Sequence, residues 1–268
     1  MKHSKWQYSR GMIFPAVIIL GCTFGFLLAP NHPEQVNMSV RFLAPCVQYP
    51  LGTDQMGRCV LSRLLYGGRT TLGIVLVGAA LVTLLGTVVG LVMGSNKNGR
   101  NILVESVLNA VTAIPPMAYL IIFIAAWGNG IATMMIAVTV SLFLRVIKLV
   151  RTRTAIELQK AYVLCAVAVG AGKGRILFRH ILPNLLWDVL HFMCLSCADM
   201  ILAIVGFSFI GLGLGDNTID WGTMVAETHH YLIAYPGLTM YPVVFIVLCT
   251  LAFHLLGRWI EKGMMTSA

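Results

Sequence analysis

The run Gly170-Ala171-Gly172-Lys173-Gly174 comes nearest in this sequence to a phosphate-binding loop. Such a loop needs a glycine five residues before its Gly-Lys pair and Ser or Thr after the Lys, so that backbone N–H groups cradle phosphate; Val167 and Gly174 stand there instead. ATP chemistry therefore belongs on another chain. Gly211-Leu212-Gly213-Leu214-Gly215 is no dinucleotide fingerprint either, because it follows a long apolar run and lacks a strand–helix–strand setting. Asp199 lies inside an apolar run, where an ionised carboxylate is costly unless it is paired or faces a wet cavity. It is a candidate for a solute pathway, with a protonated or helix-bonded carboxyl at a subunit interface as the alternative. His191 and His254 read as packing residues. Met224, Glu227, His229 and His230 are close enough to touch a transition metal in passing, but adjacent histidines on a helix point apart, so no resident metal site is expected. Cys194 and Cys197 have C-x-x-C spacing in an apolar setting, which favours packing over redox or zinc chemistry. Cys46 and Cys59 fall outside the apolar runs and could pair. With no convergent nucleophile, base and metal set, an enzyme is not expected.

The elements that must position these residues are membrane helices. Hydrophobic residues make up 58% of the chain and charged residues 11%, with a mean hydropathy of +0.83. That excludes an ordinary soluble domain. A helix needs about 20 apolar residues to cross the hydrocarbon core and leaves no backbone group open there, so the fold class expected is an all-α polytopic membrane protein. Six spans are expected at 11–29, 71–93, 102–126, 131–150, 186–209 and 238–256. An N-terminal span and outer segment (1–70), a helical membrane region (71–258) with an inner loop (151–185), and a tail (259–268) follow from them. Gly86, Gly90 and Gly94 share one face of the second span and permit close helix packing, within or between subunits. Pro115 and Pro116 interrupt the third, freeing carbonyls that could line a pathway or simply kinking it.

The net charge of +9 could suggest nucleic acid, but the basic residues sit at the ends of apolar runs. Lys2, Lys5, Arg10, Lys97, Arg100, Arg145, Lys148, Arg151, Arg153, Lys160, Lys173, Arg175, Arg179, Arg258 and Lys262 fall on one side of the six-span topology. Arg41, Arg58, Arg63 and Arg69 fall on the other. The positive-inside rule then places both termini and the loop from Ala161 to Asn184 in the cytoplasm. That loop reads as helix, glycine-rich turn, helix, presented to a soluble partner.

Three stretches resemble the permease subunits of ATP-binding-cassette importers, in the dipeptide, oligopeptide and nickel branch. Gly52-Thr53-Asp54, Gly57-Arg58, Ser62-Arg63, Gly67 and Arg69 resemble the family's signature ahead of the second span, with Cys59 where Asp is usual. Ser208-Phe209-Ile210-Gly211-Leu212-Gly213 with Trp221-Gly222 and Met224 resembles its outer loop, with Asp216, Asn217 and Ile219 in place of the usual prolines. Gly170-Ala171, Arg175-Ile176 and Arg179 to Asn184 match the loop that enters a cleft on the ATPase, although Leu164 replaces the Glu that normally opens its core.

The resemblance implies a type I, MetI-like permease core of five helices plus an N-terminal span, in a bacterial inner membrane. It also implies a second permease, two ATPases holding ATP and Mg, and an extracytoplasmic solute-binding protein, with no cofactor on this chain. ATPase coupling would fall to Tyr162, Val163, Leu164, Gly170, Ala171, Arg175 and Arg179. Asp199, Pro115 and Pro116 would line the pathway. Binding-protein docking or substrate entry would involve Asp54, Arg58, Arg63, Trp221, Glu227 and His229. Chain length and the segment Val163-Leu164-Cys165-Ala166 lean toward nickel, alone or chelated, with a di- or oligopeptide second. A passive channel or ion-coupled carrier using Asp199 is the reading of a different class.

Overall fold

The computed structural model describes residues 2–95, 102–215 and 218–267, with side chains from 12 to 263. The usual-proline positions Asp216 and Asn217 lie outside the described residues, as do the side chains of Lys2, Lys5, Arg10, Lys97 and Arg100. The longer helices are α1 (Lys2–Phe24), α2 (Val60–Ser95), α3 (Ile102–Ala113), α4 (Pro116–Trp127) and α5 (Ile131–Glu157). A short α6 (Ala161–Ala168) and α7 (Lys173–Arg175) lead through a π-helical turn, Ile176–Ile181, into α8 (Leu182–Phe209). Then come α9 (Trp221–Thr228) and α10 (Pro236–Ser267).

Among the described residues, four helical runs are long and apolar enough to cross a membrane: α2, α5, the run Lys173–Phe209, and α10. The N-terminal helix contributes a shorter apolar stretch, Met12–Leu28. The expected third span breaks at its two prolines. Its two halves, α3 and α4, meet at 79°, and at about 1.5 Å per residue neither twelve-residue half crosses a bilayer alone. The cause is Pro115-Pro116: Pro115 is extended (φ −60°, ψ 146°), and Pro116 starts α4 without needing an N–H partner. Tyr119 donates its hydroxyl to the Val111 carbonyl at 2.9 Å, across the break.

The helix that contains the expected second span begins earlier than the span, at Val60. Arg63 and Gly67 are therefore helical.

The glycine stripe is used within the chain. A Cβ on Gly86 would meet Val146 at 3.1 Å, one on Gly90 Val150 at 2.7 Å, and one on Gly94 Thr154 at 2.7 Å. Each partner lies 60 positions on, so α2 and α5 run parallel in one register with their backbones close. Only missing side chains permit that approach. Around this pair the buried core gathers Leu72, Leu91, Met134, Val146, Ile201 and Ile204.

Candidate functional sites

At the end of the bundle where α2 begins, the signature residues build a turn before they build anything else. Asp54 accepts from the backbone N–H groups of Met56 and Arg58, both at 2.9 Å. Its own carbonyl accepts from Gly57 N–H at 3.0 Å. Gly57 takes φ +70°, and any Cβ there would collide with the Asn37 carbonyl, 1.8 Å away. Glycine is the residue that tolerates both conditions. The turn aims the Arg58 Nε back at the Asp54 carboxylate (2.7 Å), while the first turns of α2 bring Arg63 Nη1 to the same oxygen at 2.8 Å. Both guanidinium groups also reach Glu227 of α9, at 2.6 and 2.7 Å. Two cations and two anions thus bolt α9 onto the start of α2. Cys59, at the position where Asp is usual, is buried beside this turn in a bridge with Thr53.

Trp221 makes a second bolt, its indole N–H donating to the Leu64 carbonyl at 2.9 Å. It lies over Gly67 and Gly68, where an added Cβ would come within 3.1 and 3.0 Å of the ring. Asp220 caps α9: its carboxylate accepts from Thr223 N–H and from the Ser208 hydroxyl. Asp54, Arg63 and Trp221 are therefore buried and position their neighbours rather than offering a docking surface. Arg58 and Glu227 are partly exposed. His229 is exposed, packing on Phe209 and on His230.

The two carboxyls at this end respond to pH with opposite sign. Burial raises Glu227, but the Arg63 and Arg58 guanidiniums outweigh it and hold it below the usual range. Burial raises Asp220 despite the Ser208 and Thr223 hydrogen bonds. A depressed carboxyl contributes stability above its unfolded-state value and loses it as pH falls through the folded value; a raised one loses stability as pH rises. The thermal midpoint of the detergent-solubilised protein should therefore fall on acidification below about pH 4, the ordinary Glu value. Glu227→Gln should flatten that acid limb, and an unchanged limb in the variant would show that the cluster does not control it.

The opposite end carries the loop. Helix α6 ends in two hydrogen bonds, Gly170 N–H to Val167 O and Ala171 N–H to Ala166 O, both at 3.0 Å. Gly170 has φ +82°, the left-handed glycine stop that closes a helix this way. Val163 is wholly buried among the core residues, a correction to its place on the expected contact face. The exposed apolar side chains are instead Tyr162, Leu164, Val167 and Val169, with Phe178 nearby. Lys173, Arg175 and Arg179 are exposed beside it.

A polar brace fixes this loop to the bundle. Tyr162 donates its hydroxyl to Glu157 Oε2 at 2.7 Å, Lys160 Nζ lies 2.5 Å from Oε1, and Asn184 Nδ2 donates to the Tyr162 oxygen at 3.0 Å. Burial, then the Glu157 hydrogen bond and charge, hold the Tyr162 phenol above its ordinary value. It is a donor at neutral pH. Arg153 and Asp188 link α5 to α8 at 3.3 Å.

Between these ends, Asp199 and Pro116 line one cavity of about 350 Å³, walled by α4, α5 and α8. Pro115 sits exposed at the break above α4. Sequence reading missed Arg145, which also lines the cavity instead of marking a span end. Glu157, Asn184 and Asp220 were missed as well. Of these, only Asp220 had a local signal, an acid three residues before Thr223 at a helix start. Cys46 and Cys59 are free, one exposed and one buried, so they do not pair. Among the described residues no three His, Cys, Asp or Glu side chains converge as metal ligands.

A family model described as "Binding-protein-dependent transport system inner membrane component" matches residues 60–266. The di/tripeptide transport system permease protein of Pseudomonas aeruginosa (strain UCBPP-PA14) is 29% identical over 266 residues, covering 95% of this chain and 86% of that one. The nickel transport system permease protein of Escherichia coli (strain K12) is 27% identical, covering 95% and 92%. A peptide transport system permease protein of Escherichia coli O6:H1 is 30% identical, covering 91% and 84%. Among solved structures, an inward-facing MetNI methionine ABC transporter superposes with a TM-score of 0.58 at 17% identity, over 75% of this chain and 96% of that one. That likeness concerns the fold.

Proposed function

Since this chain belongs to the family of binding-protein-dependent transport system inner membrane components, and is a permease subunit of an ABC importer rather than an enzyme, we propose how its parts serve import. It forms half of a translocation pathway completed by a second, homologous permease. Two ATPases carrying ATP and Mg dock on the α6 to Arg179 loop, and an extracytoplasmic binding protein delivers the solute at the α9 end. Both termini lie in the cytoplasm, where the positive-inside rule puts most of the basic residues. The channel or carrier reading, which Asp199 alone would permit, is set aside by the family.

The observation that carries the coupling assignment is the loop itself. It exposes three apolar side chains on one short helix and a fourth, Val169, at its cap, sets three cations beside them, and is braced to α5 and α8 through Glu157, Tyr162 and Asn184. An ATPase that binds this face differently in its ATP-bound and free states would shift the permease between two conformations; equal binding would shift nothing. The cargo we assign is nickel, alone or as a chelate. A nickel transport permease 27% identical over 95% of this chain supports that assignment. A di- or oligopeptide is the second reading, supported by peptide relatives of equal or greater identity.

The test is uptake by proteoliposomes containing the whole complex. Transport should require ATP and should vanish when Gly170 to Arg179 is deleted. Uptake that persists without ATP, or at an unchanged rate after the deletion, would overturn the coupling assignment.

A further inference from the structure

The cavity bounded by Pro116, Leu120, Leu142, Arg145, Ser196 and Asp199 holds two opposite charges on different walls, Arg145 on α5 and Asp199 on α8. Among the described residues neither makes an ion pair or a side-chain hydrogen bond; the ion pairs found there engage Arg58, Arg63, Arg153 and Lys160. Asp199 is ten residues from the end of α8 and Arg145 fourteen from the start of α5. At about 1.5 Å per residue both lie well inside the hydrophobic slab, about 15 and 21 Å from the α9 end. Ionisable groups at such depth are costly, and they persist where they face a wet path or a ligand.

Apart from Ser196 the remaining walls are apolar, and a second cation sits nearby. Lys148, one turn along α5 from Arg145, donates to the Thr112 hydroxyl at 3.2 Å, next to the α3/α4 break. Within the cavity the fixed charges are one of each sign, and Lys148 adds positive charge beyond its wall. A naked divalent metal ion would be repelled by Arg145 as it passed. A carboxylate would find there a planar fork that it can engage through two parallel hydrogen bonds. Asp199 would meet an ammonium group or another donor of the same solute.

We propose that Arg145 and Asp199 form a two-charge solute site in the permease, selecting a cargo that carries a carboxylate and excluding a bare metal cation. The inference rests on the proposed reading of this chain as half of a translocation pathway, and takes this cavity to lie on that pathway. Within that reading it makes Arg145 a specificity-determining residue. The carboxylate has two possible sources, a peptide C-terminus or an amino-acid chelator around nickel, and both present the same group to the guanidinium.

The experiment uses the complete importer in proteoliposomes with four probes: nickel chloride, nickel with excess glycine, alanyl-alanine, and its C-terminal amide. Uptake is expected for at least one carboxylate-bearing probe and not for nickel chloride alone. Arg145→Gln should lower uptake of that probe per ATP hydrolysed about tenfold, and Arg145→Lys should restore part of it. Which probe crosses tells the two sources apart. Import of nickel chloride alone, equal import of alanyl-alanine and its amide, or import of neither carboxylate-bearing probe overturns the inference and leaves the importer reading intact. If Arg145→Gln and Asp199→Asn both leave every wild-type uptake unaltered, the pathway placement of the cavity fails instead.

Discussion

Asp54→Ala is expected to lower stability by about 3–5 kcal/mol, the usual cost of leaving one member of a buried charge set without its partner. Against a typical folding stability of about 5–15 kcal/mol, that is enough to remove most of the folded protein at elevated temperature. The size follows from what the carboxylate does. It satisfies two backbone N–H groups and two guanidiniums, and Arg63 is 3% exposed. Removing it leaves Arg63 with Glu227 alone and unlocks the turn that orients Arg58. Asp54→Asn should fall between, since an amide oxygen still accepts from the backbone but no longer balances the charge. Glu227→Ala should cost less, because water reaches that carboxylate and can replace it. Thermal melts of the detergent-solubilised chain, read by loss of the monodisperse peak, give the ranking. A melt for Asp54→Ala matching wild type would remove the cluster from any account of how α9 is held.

At the other end, Leu164→Asp combined with Val167→Asp is expected to abolish co-purification of the ATPases. Both side chains are more than half exposed on the apolar face of α6, so the isolated permease should fold normally. In the assembled importer each new carboxylate would be buried without a partner. Central contact residues of this kind carry about 2 kcal/mol or more each, roughly 30-fold in affinity per site. Lys173→Glu at the rim should act differently, slowing association and flattening its fall with salt rather than preventing it. Retention of the ATPases by the double variant at wild-type stoichiometry would exclude the α6 face as their seat. Surface plasmon resonance on nanodisc-held permease separates these two behaviours through their on- and off-rates.

What could be read from the chain, and what could not, divides along the range of the interactions. Apolar runs of membrane length announced α2, α5, α8 and α10, because a bilayer demands the same composition wherever such a helix stands. The Asp54-to-Arg58 turn was visible because its parts are four residues apart. The engagement of Arg63 with Glu227, 164 positions later, was not. Trp221 in a polar stretch looked like a surface aromatic; its burial depends on Gly67 and Gly68, which lie on another helix. Val163 looked equivalent to Leu164, and only the curl of α6 against the π-helical turn separates the one that is core from the one that is exposed. Arg145 was counted as the end of a span since a tally of charges along a line cannot see which wall a residue lines. The double proline gave warning of a break but not of its angle, which depends on how α4 finds a seat against α5.

The π-helical turn at Ile176–Ile181 holds one residue more than an α-helical turn would. An α-helix advances about 100° per residue, so a surplus residue offsets whatever precedes it by roughly that bearing relative to the span that follows. The compass heading of the loop is thus decoupled from the packing of α8. Losing a single codon here would swing the loop by more than a quarter-circle around the axis while leaving the buried contacts of the span in register. A lineage could re-aim this permease at a motor of different shape by that one step, and its ancestry would be recorded as a gap of a single column rather than as a rewritten helix.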